Sequence, residues 1–353
     1  MNYAQLHAAN KNLIAKRGAV IKMRTILLVG SYFPIANIET ILMHYLACDL
    51  KLRGYRLILV SDAWCKVESD MFVGTAKDLA SDNVFDKKYY LDPLQVSILR
   101  RENGTTNMLY GLICNVVRSE CVNDVLIIDM IPYGYYSTLL KNEFPMLNIH
   151  LYVGSASWFI SLYEPYEKAC LKQALRNYTS VFCAPEAYKG LKQAATGDNL
   201  YCAFPFSVQK ARSSAHDQVI GISWVNTKQE LAFIRRMIQK CPIKTKYLVI
   251  GKNVFEPPQI TNQYTREMST ERLLSLVEAC QTVILLDTFS NVYFPSAYLC
   301  FTLLGNSVVT TSVFAETLQK CGHYGVSEYS GVSDAIELRM LPHKDIPTIA
   351  NLL

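Results

Sequence analysis

The sequence predicts an α/β protein built from two parallel-sheet domains that face each other across a cleft. Three observations lead there. Short apolar runs of β-type residues alternate with helix-like stretches. A polar segment, SVQKARSSAHDQ (207–218), interrupts that alternation once, and the same rhythm resumes beyond it. The chain has 353 residues, enough for about two domains of roughly 150 residues each.

Each element has a local reason. TILLVG (25–30) is an apolar run ended by Gly30, and the following stretch carries apolar residues at helical spacing until Gly54. RLILVSD (56–62) then reads as a second strand, giving a strand–helix–strand unit with a right-handed crossover. VLIIDM (125–130), NIHLYVG (148–154) and TSVFCAP (179–185) continue the series, each separated from the next by a helix-like stretch. Strands apolar throughout imply a parallel sheet covered on both faces. After the polar segment come VIGISW (219–224), a helix from about Gln229 to Gln239, KYLVIG (246–251), a helical TERLLSLVEAC (270–280) and TVILLD (282–287). An apolar helix closed by Gly305 and a strand SVVTTS (307–312) complete the set. The expected organisation is an extension over 1–22, a first Rossmann-like domain over 23–206, a linker over 207–218 and a second Rossmann-like domain over 219–353. Ligands of such open sheets lie at the carboxyl ends of the strands.

Composition excludes several classes of function. Half of the residues are hydrophobic, 18% are charged and the net charge is +5. Lys and Arg are spread along the chain rather than clustered, which argues against a nucleic-acid binder and fits an anionic small molecule better. The eleven cysteines form no CxxC pair and no Cys/His cluster of metal spacing, so no metal is expected and a reducing, cytoplasmic setting is. No apolar run is long enough to span a membrane. Residues 1–22 lack the apolar core of a secretory signal. They leave two readings open: translation starting at Met23, or a short basic helix in peripheral contact with a membrane surface.

In their order, these segments resemble the GT-B glycosyltransferases, in particular the family-4 type. RTILLVGSYFPIANIETILMHYLACDLKLRGYRLILVS (24–61) resembles that family's opening, and residues 171–208 resemble the stretch that closes its first domain. GISWVNTKQELAFI (221–234), KYLVIGK (246–252), REMSTERLLSLVEACQTVILLD (266–287) and LLGNSVVTTS (303–312) resemble its second-domain landmarks. The resemblance implies a nucleotide-sugar donor held by the second domain, an acceptor on the first, and no cofactor. There are departures. The family's Gly-Gly pair falls on Ala36-Asn37, a basic residue on Ser223, two glutamates on Val292 and Cys300, and a histidine near Gly154. Pro295, at a helix start where the family offers backbone amides to a diphosphate, has no N–H to give.

The candidate residues follow. The resemblance puts Lys228 at the lysine that neutralises the departing diphosphate; the alternative is a solvated lysine at a helix start. Asp287, Thr288, Ser290 and Asn291 follow a strand's carboxyl end and suit sugar hydroxyls or phosphate oxygens, though the same residue types serve as turns and caps. Ser296 could hold phosphate in place of the amide that Pro295 lacks. In the first domain, Asp129 could act as a base toward an acceptor hydroxyl, with Tyr32 and Asn37 on the same acceptor side. Asp62 and Glu39 read better as structural, and His44 and His150 as core residues with satisfied partners. Two functions stay open. One is transfer of a sugar from a nucleotide-diphosphate donor to a saccharide or lipid-linked acceptor; the other is a catalytically inactive, sugar-binding partner of the same shape.

Overall fold

The structure is a computed structural model. It describes residues 23–30, 38–61, 84–91, 105–128, 136–154, 172, 175–194, 197–207, 219–222, 232–233, 236, 240, 246–249, 280–285, 294–311, 318–319, 322–329, 335–341 and 345–353.

Two Rossmann-like halves are found. The first holds β1 (Thr25–Val29), β2 (Arg56–Ser61), β3 (Lys87–Tyr90), β4 (Asp124–Ile128), β5 (Asn148–Val153), β6 (Ser180–Cys183) and β7 (Leu200–Cys202). They form one parallel sheet in the order β3-β2-β1-β4-β5-β6-β7. Alternate residues of β1 enter different cores: Ile26 and Leu28 face one side, Leu27 and Val29 the other. Burial on both faces is why β1, β2 and β4 are near-continuous apolar runs rather than alternating ones. Helices α1 (Ile38–Leu52), α2 (Thr105–Glu120), α3 (Tyr136–Glu143) and α4 (Pro185–Ala194) cover the sheet. On α1, Leu42, Leu46 and Leu50 repeat at four-residue spacing with Ile41 and Tyr45 beside them, and all five are buried.

The second half holds β8 (Val219–Ile222), β9 (Lys246–Val249), β10 (Thr282–Ile284), β11 (Ser307–Thr311), β12 (Tyr324–Glu328) and β13 (Ala335–Met340), in the order β12-β13-β11-β10-β8-β9. Strands β9, β8, β10 and β11 are parallel, whereas β13 and β12 add an antiparallel edge. Helix α5 (Phe294–Leu303) links β10 to β11.

The expected glycine stops are found. Gly54 and Gly305 have φ of 87° and 83°, in the left-handed region where a side chain is disfavoured. After α1, Gly54 N donates to Lys51 O and Tyr55 N to Leu50 O; after α5, Gly305 N donates to Thr302 O and Asn306 N to Phe301 O. That paired pattern satisfies carbonyls a helix end would otherwise leave open.

The halves share one apolar core. Helix α1 packs against α5, and the cluster runs from Ile26, Leu57 and Leu126 through Leu46 to Leu299, Val283 and Val308. The end of the chain returns to the first half. Phe204 N donates to Pro347 O and Ile349 N to Phe204 O, after which α6 (Ile349–Leu352) packs on α1. Arg53 then bonds Asn351, and Arg24 Nη1 donates to Leu353 O at 2.7 Å.

Candidate functional site

Strand order indicates where each half offers a crevice. In the first sheet the chain builds outward from β1 through β2 to β3, then crosses to β4 on the opposite flank of β1 and builds the other way. The second sheet repeats this with β8 and β9, then β10 and β11 on the other flank of β8. Each reversal separates two neighbouring loops at the carboxyl edge, which is where open α/β sheets take ligands. Among the paired strand ends are Val29 with Ile127 in the first sheet and Ile222 with Ile284 in the second.

Eight of the nine residues expected for the site belong to segments that leave these four strand ends. Tyr32 and Asn37 follow β1, Asp129 follows β4, Lys228 follows β8, and Asp287, Thr288, Ser290 and Asn291 follow β10. Those eight lie outside the described residues. The backbone of Ser296 is in the first turn of α5, and its side chain too is outside them. Asp62 is likewise outside.

What the structure describes beside the second crevice is an uncharged, hydroxyl-based frame. Leu285 extends the ladder one residue past β10, its N–H donating to Val309 O at 2.8 Å. The buried Tyr298 hydroxyl, on α5, meets Thr310 Oγ1 and lies 3.4 Å from Leu285 O. Sequence reasoning passed over Tyr298, and the only signal was a phenol hydroxyl in a helix without charged residues. Cys300, where the resemblance would place a glutamate, is fully buried among core residues including Leu299 and Phe301. A carboxylate there would have no water, and a thiol behaves as a small hydrophobe.

The charged groups lie at the other end of the first sheet. Asp124 opens β4, is fully buried, and accepts from Arg24 Nε at 2.6 Å and Nη2 at 2.5 Å, and from Asn148 Nδ2 at 3.0 Å. His150 Nε2 lies 3.4 Å from it. Burial pushes the Asp124 pKa up, but hydrogen bonds from His150, Arg24 and Asn148 outweigh burial and hold it below the usual carboxylate range. Glu120, ending α2, accepts from Lys87 Nζ, the Tyr89 hydroxyl and Arg56 Nη2, each at 2.6 Å. Those donors, Lys87 first, lower its pKa to about 2. Each carboxylate is saturated by its neighbours and sits at strand amino ends, so neither is available as a base.

The two core histidines divide. His150 is buried with Nε2 engaged and Nδ1 without a hydrogen-bond partner, so it is only half satisfied. His44 meets Cys48 Sγ at 3.6 Å, and burial followed by Lys88 lowers its pKa to about 4. Among the described residues, no His/Cys/Asp/Glu group could hold a metal ion, and no helix is long and apolar enough to cross a membrane. The seven described cysteines are free thiols.

No family model matches the chain, and no curated protein matches its sequence. Solved structures similar to it include a sucrose-phosphate synthase from Thermosynechococcus elongatus, at 10% identity, TM-score 0.47, covering 82% of this chain and 81% of that one. The glycosyltransferase SnogD from Streptomyces nogalater is similar at 11% identity and TM-score 0.46, covering 84% and 85%. A UDP-GlcNAc 2-epimerase from Neisseria meningitidis, bound to UDP-GlcNAc, is similar at 10% identity and TM-score 0.44, covering 74% and 77%. At these TM-scores the likenesses carry no argument about function. The fold class, two Rossmann-like halves, rests on the two sheets themselves.

Proposed function

We propose that this chain is a glycosyltransferase that moves a sugar from a nucleotide-diphosphate donor to a saccharide or lipid-linked acceptor. Its setting would be cytoplasmic synthesis of cell-surface polysaccharide, with peripheral contact at the inner face of the membrane. Residues 23–206 are the acceptor-side domain, 207–218 the linker and 219–353 the donor domain. One observation carries the reading: the four segments holding eight of the nine candidate residues leave the strand ends that flank the two chain reversals. The chemistry suits those residue types. Lys228 would neutralise the diphosphate as its charge grows, and Asp287, Thr288, Ser290, Asn291 and Ser296 would bind the remaining donor oxygens. Asp129 would face the acceptor hydroxyl, with Tyr32 and Asn37 beside it. No metal is required where an ammonium group and helix amides supply the positive field.

The inactive sugar-binding partner stays as the second reading, and the buried Cys300 favours it. Calorimetric titration with a panel of nucleotide-diphosphate sugars separates protein that holds a donor from protein that does not. Donor binding followed by release of nucleoside diphosphate in the presence of acceptor supports the enzyme. Binding without turnover supports the partner, and no binding to any donor removes the donor site altogether.

A further inference from the structure

We infer that Cys183 and Cys202 form a reversible thiol–disulfide pair that controls how the end of the chain is held on the first half. The two residues are register partners on neighbouring parallel strands, Cys183 at the end of β6 and Cys202 at the end of β7. Both side chains point to the same face of the sheet. Val181 and Cys183 belong to one core and Phe182 to the other, and Leu200, two positions before Cys202, packs on the Cys183 side. Cys183 Sγ donates at 3.5 Å to Tyr201 O, the carbonyl that precedes Cys202. Both are thiols, Cys183 buried and Cys202 partly exposed. Among the described residues no other two cysteines are register partners.

Neighbouring strands lie about 4.8 Å apart, inside the range of about 4.4 to 6.8 Å over which Cα atoms can carry a disulfide. On paired strands the two Cα–Cβ bonds run alongside each other, whereas a relaxed disulfide brings its Cβ atoms to about 3.8 Å. Closing the bond therefore draws β7 toward β6, and a disulfide formed under that strain is readily reduced again. Strand β7 ends the described sheet and has three residues, so it yields more easily than β6. The next two residues carry the consequence. Ala203 N donates to Cys183 O, and Phe204 holds the returning segment, its N–H donating to Pro347 O and its carbonyl accepting from Ile349 N. A shift of β7 loosens that grip. The oxidant is a low-molecular-weight disulfide. The Cys202 thiolate attacks one of its sulfurs and expels a thiolate. Cys183 then attacks the Cys202 sulfur and expels the second, and the two protons leave on the two expelled thiols. None of this depends on donor binding.

The test incubates the full chain with oxidised glutathione, blocks the remaining thiols and digests with trypsin, which cleaves after Lys189 and Lys192 and so separates the two cysteines. Mass spectrometry should find the Cys183 and Cys202 peptides joined, lighter than their sum by two hydrogens, and excess reduced glutathione should part them. Amide exchange over 347–353 should quicken about five-fold in the oxidised protein, the scale of one lost hydrogen bond, and return on reduction. Cys202→Ser, at the more exposed position, should keep the native melting temperature and the reduced protein's exchange whether or not oxidant is present. Cys121→Ser removes an exposed thiol elsewhere and should respond as native protein does. An unreacted Cys202, a Cys202 left as a glutathione adduct beside a free Cys183, or a Cys202 joined to another cysteine overturns the pairing. A joined pair that leaves exchange over 347–353 unchanged overturns control of the chain end, and one that resists reduced glutathione overturns reversibility.

Discussion

The two halves of the molecule hold their strands with different polar chemistry. At the amino ends of the first sheet, charges face one another: Arg24 with Asp124, Arg56 and Lys87 with Glu120, Lys51 with Asp86. In the second half the described buried polar groups are hydroxyls and amides: Tyr298 with Thr310, Thr282 with Ser307, Asn306 with the Cys280 carbonyl. The first arrangement locks strands at the end away from the crevices, using carboxylates whose lone pairs are already occupied. In the second set only Tyr298 with Thr310 lies near the carboxyl ends of the strands, while Thr282, Ser307 and Asn306 sit at the amino ends of β10 and β11. Charge thus marks scaffold among the described residues of the first sheet, and the candidate residues proposed for chemistry belong to segments that follow the carboxyl ends of the strands.

The sharpest break in that contrast is Asp124→Ala. Removing a buried carboxylate strands the groups that point at it, at a cost of about 3–5 kcal/mol. The lower end applies, about 3 kcal/mol, because Arg24 is 40% exposed and water recovers part of its solvation. Urea unfolding should register this as a lower midpoint at unchanged slope. An effect below about 1 kcal/mol would show that the cluster behaves as a surface pair.

Acid titration probes the same cluster. The folded pKa values of Asp124 and Glu120 both lie below their ordinary values, so the unfolded chain takes up protons first as pH falls. The stability they supply is complete above about pH 5 and declines from about pH 4 toward pH 2, where Glu120 itself titrates. Glu120→Gln should lower stability above about pH 5 and flatten its decline toward acid, so that variant and native protein converge near pH 2. A smaller effect belongs to the second half: Gly305→Ala forces a side chain onto φ 83° and should cost about 1 kcal/mol, read as a lower melting temperature.

Much of this architecture was legible from residues. The nine expected strands all occur, within about three residues of their expected ends, because each is a short run dominated by apolar, β-type residues. Both glycine stops were legible for a similar reason, since few other residues accept that backbone angle. Four strands were not. KKYY at β3 and LYC at β7 are edge strands, short and half exposed, so their sequences carry little apolar signal. In β13, Ile336, Leu338 and Met340 alternate with Glu337 and Arg339, the period of a half-buried antiparallel strand. A search for continuous apolar runs passes over that pattern. At the candidate site, the segments following the right strand ends were legible because strand ends and polar loops are local features. Tyr298 was not, because its partners lie twelve and thirteen positions away and meet it only through the register of the second sheet. The return of residues 347–353 to the first half is invisible locally for the same reason.

The most direct measurement is hydrogen exchange with and without a saturating nucleotide sugar, in native protein and in Lys228→Ala. The account predicts ligand protection over 223–231 and 286–293, the segments that leave β8 and β10, and affinity lower by about 1–3 kcal/mol without the lysine. Protection confined to the amino ends of the strands, or affinity indifferent to Lys228, would contradict it.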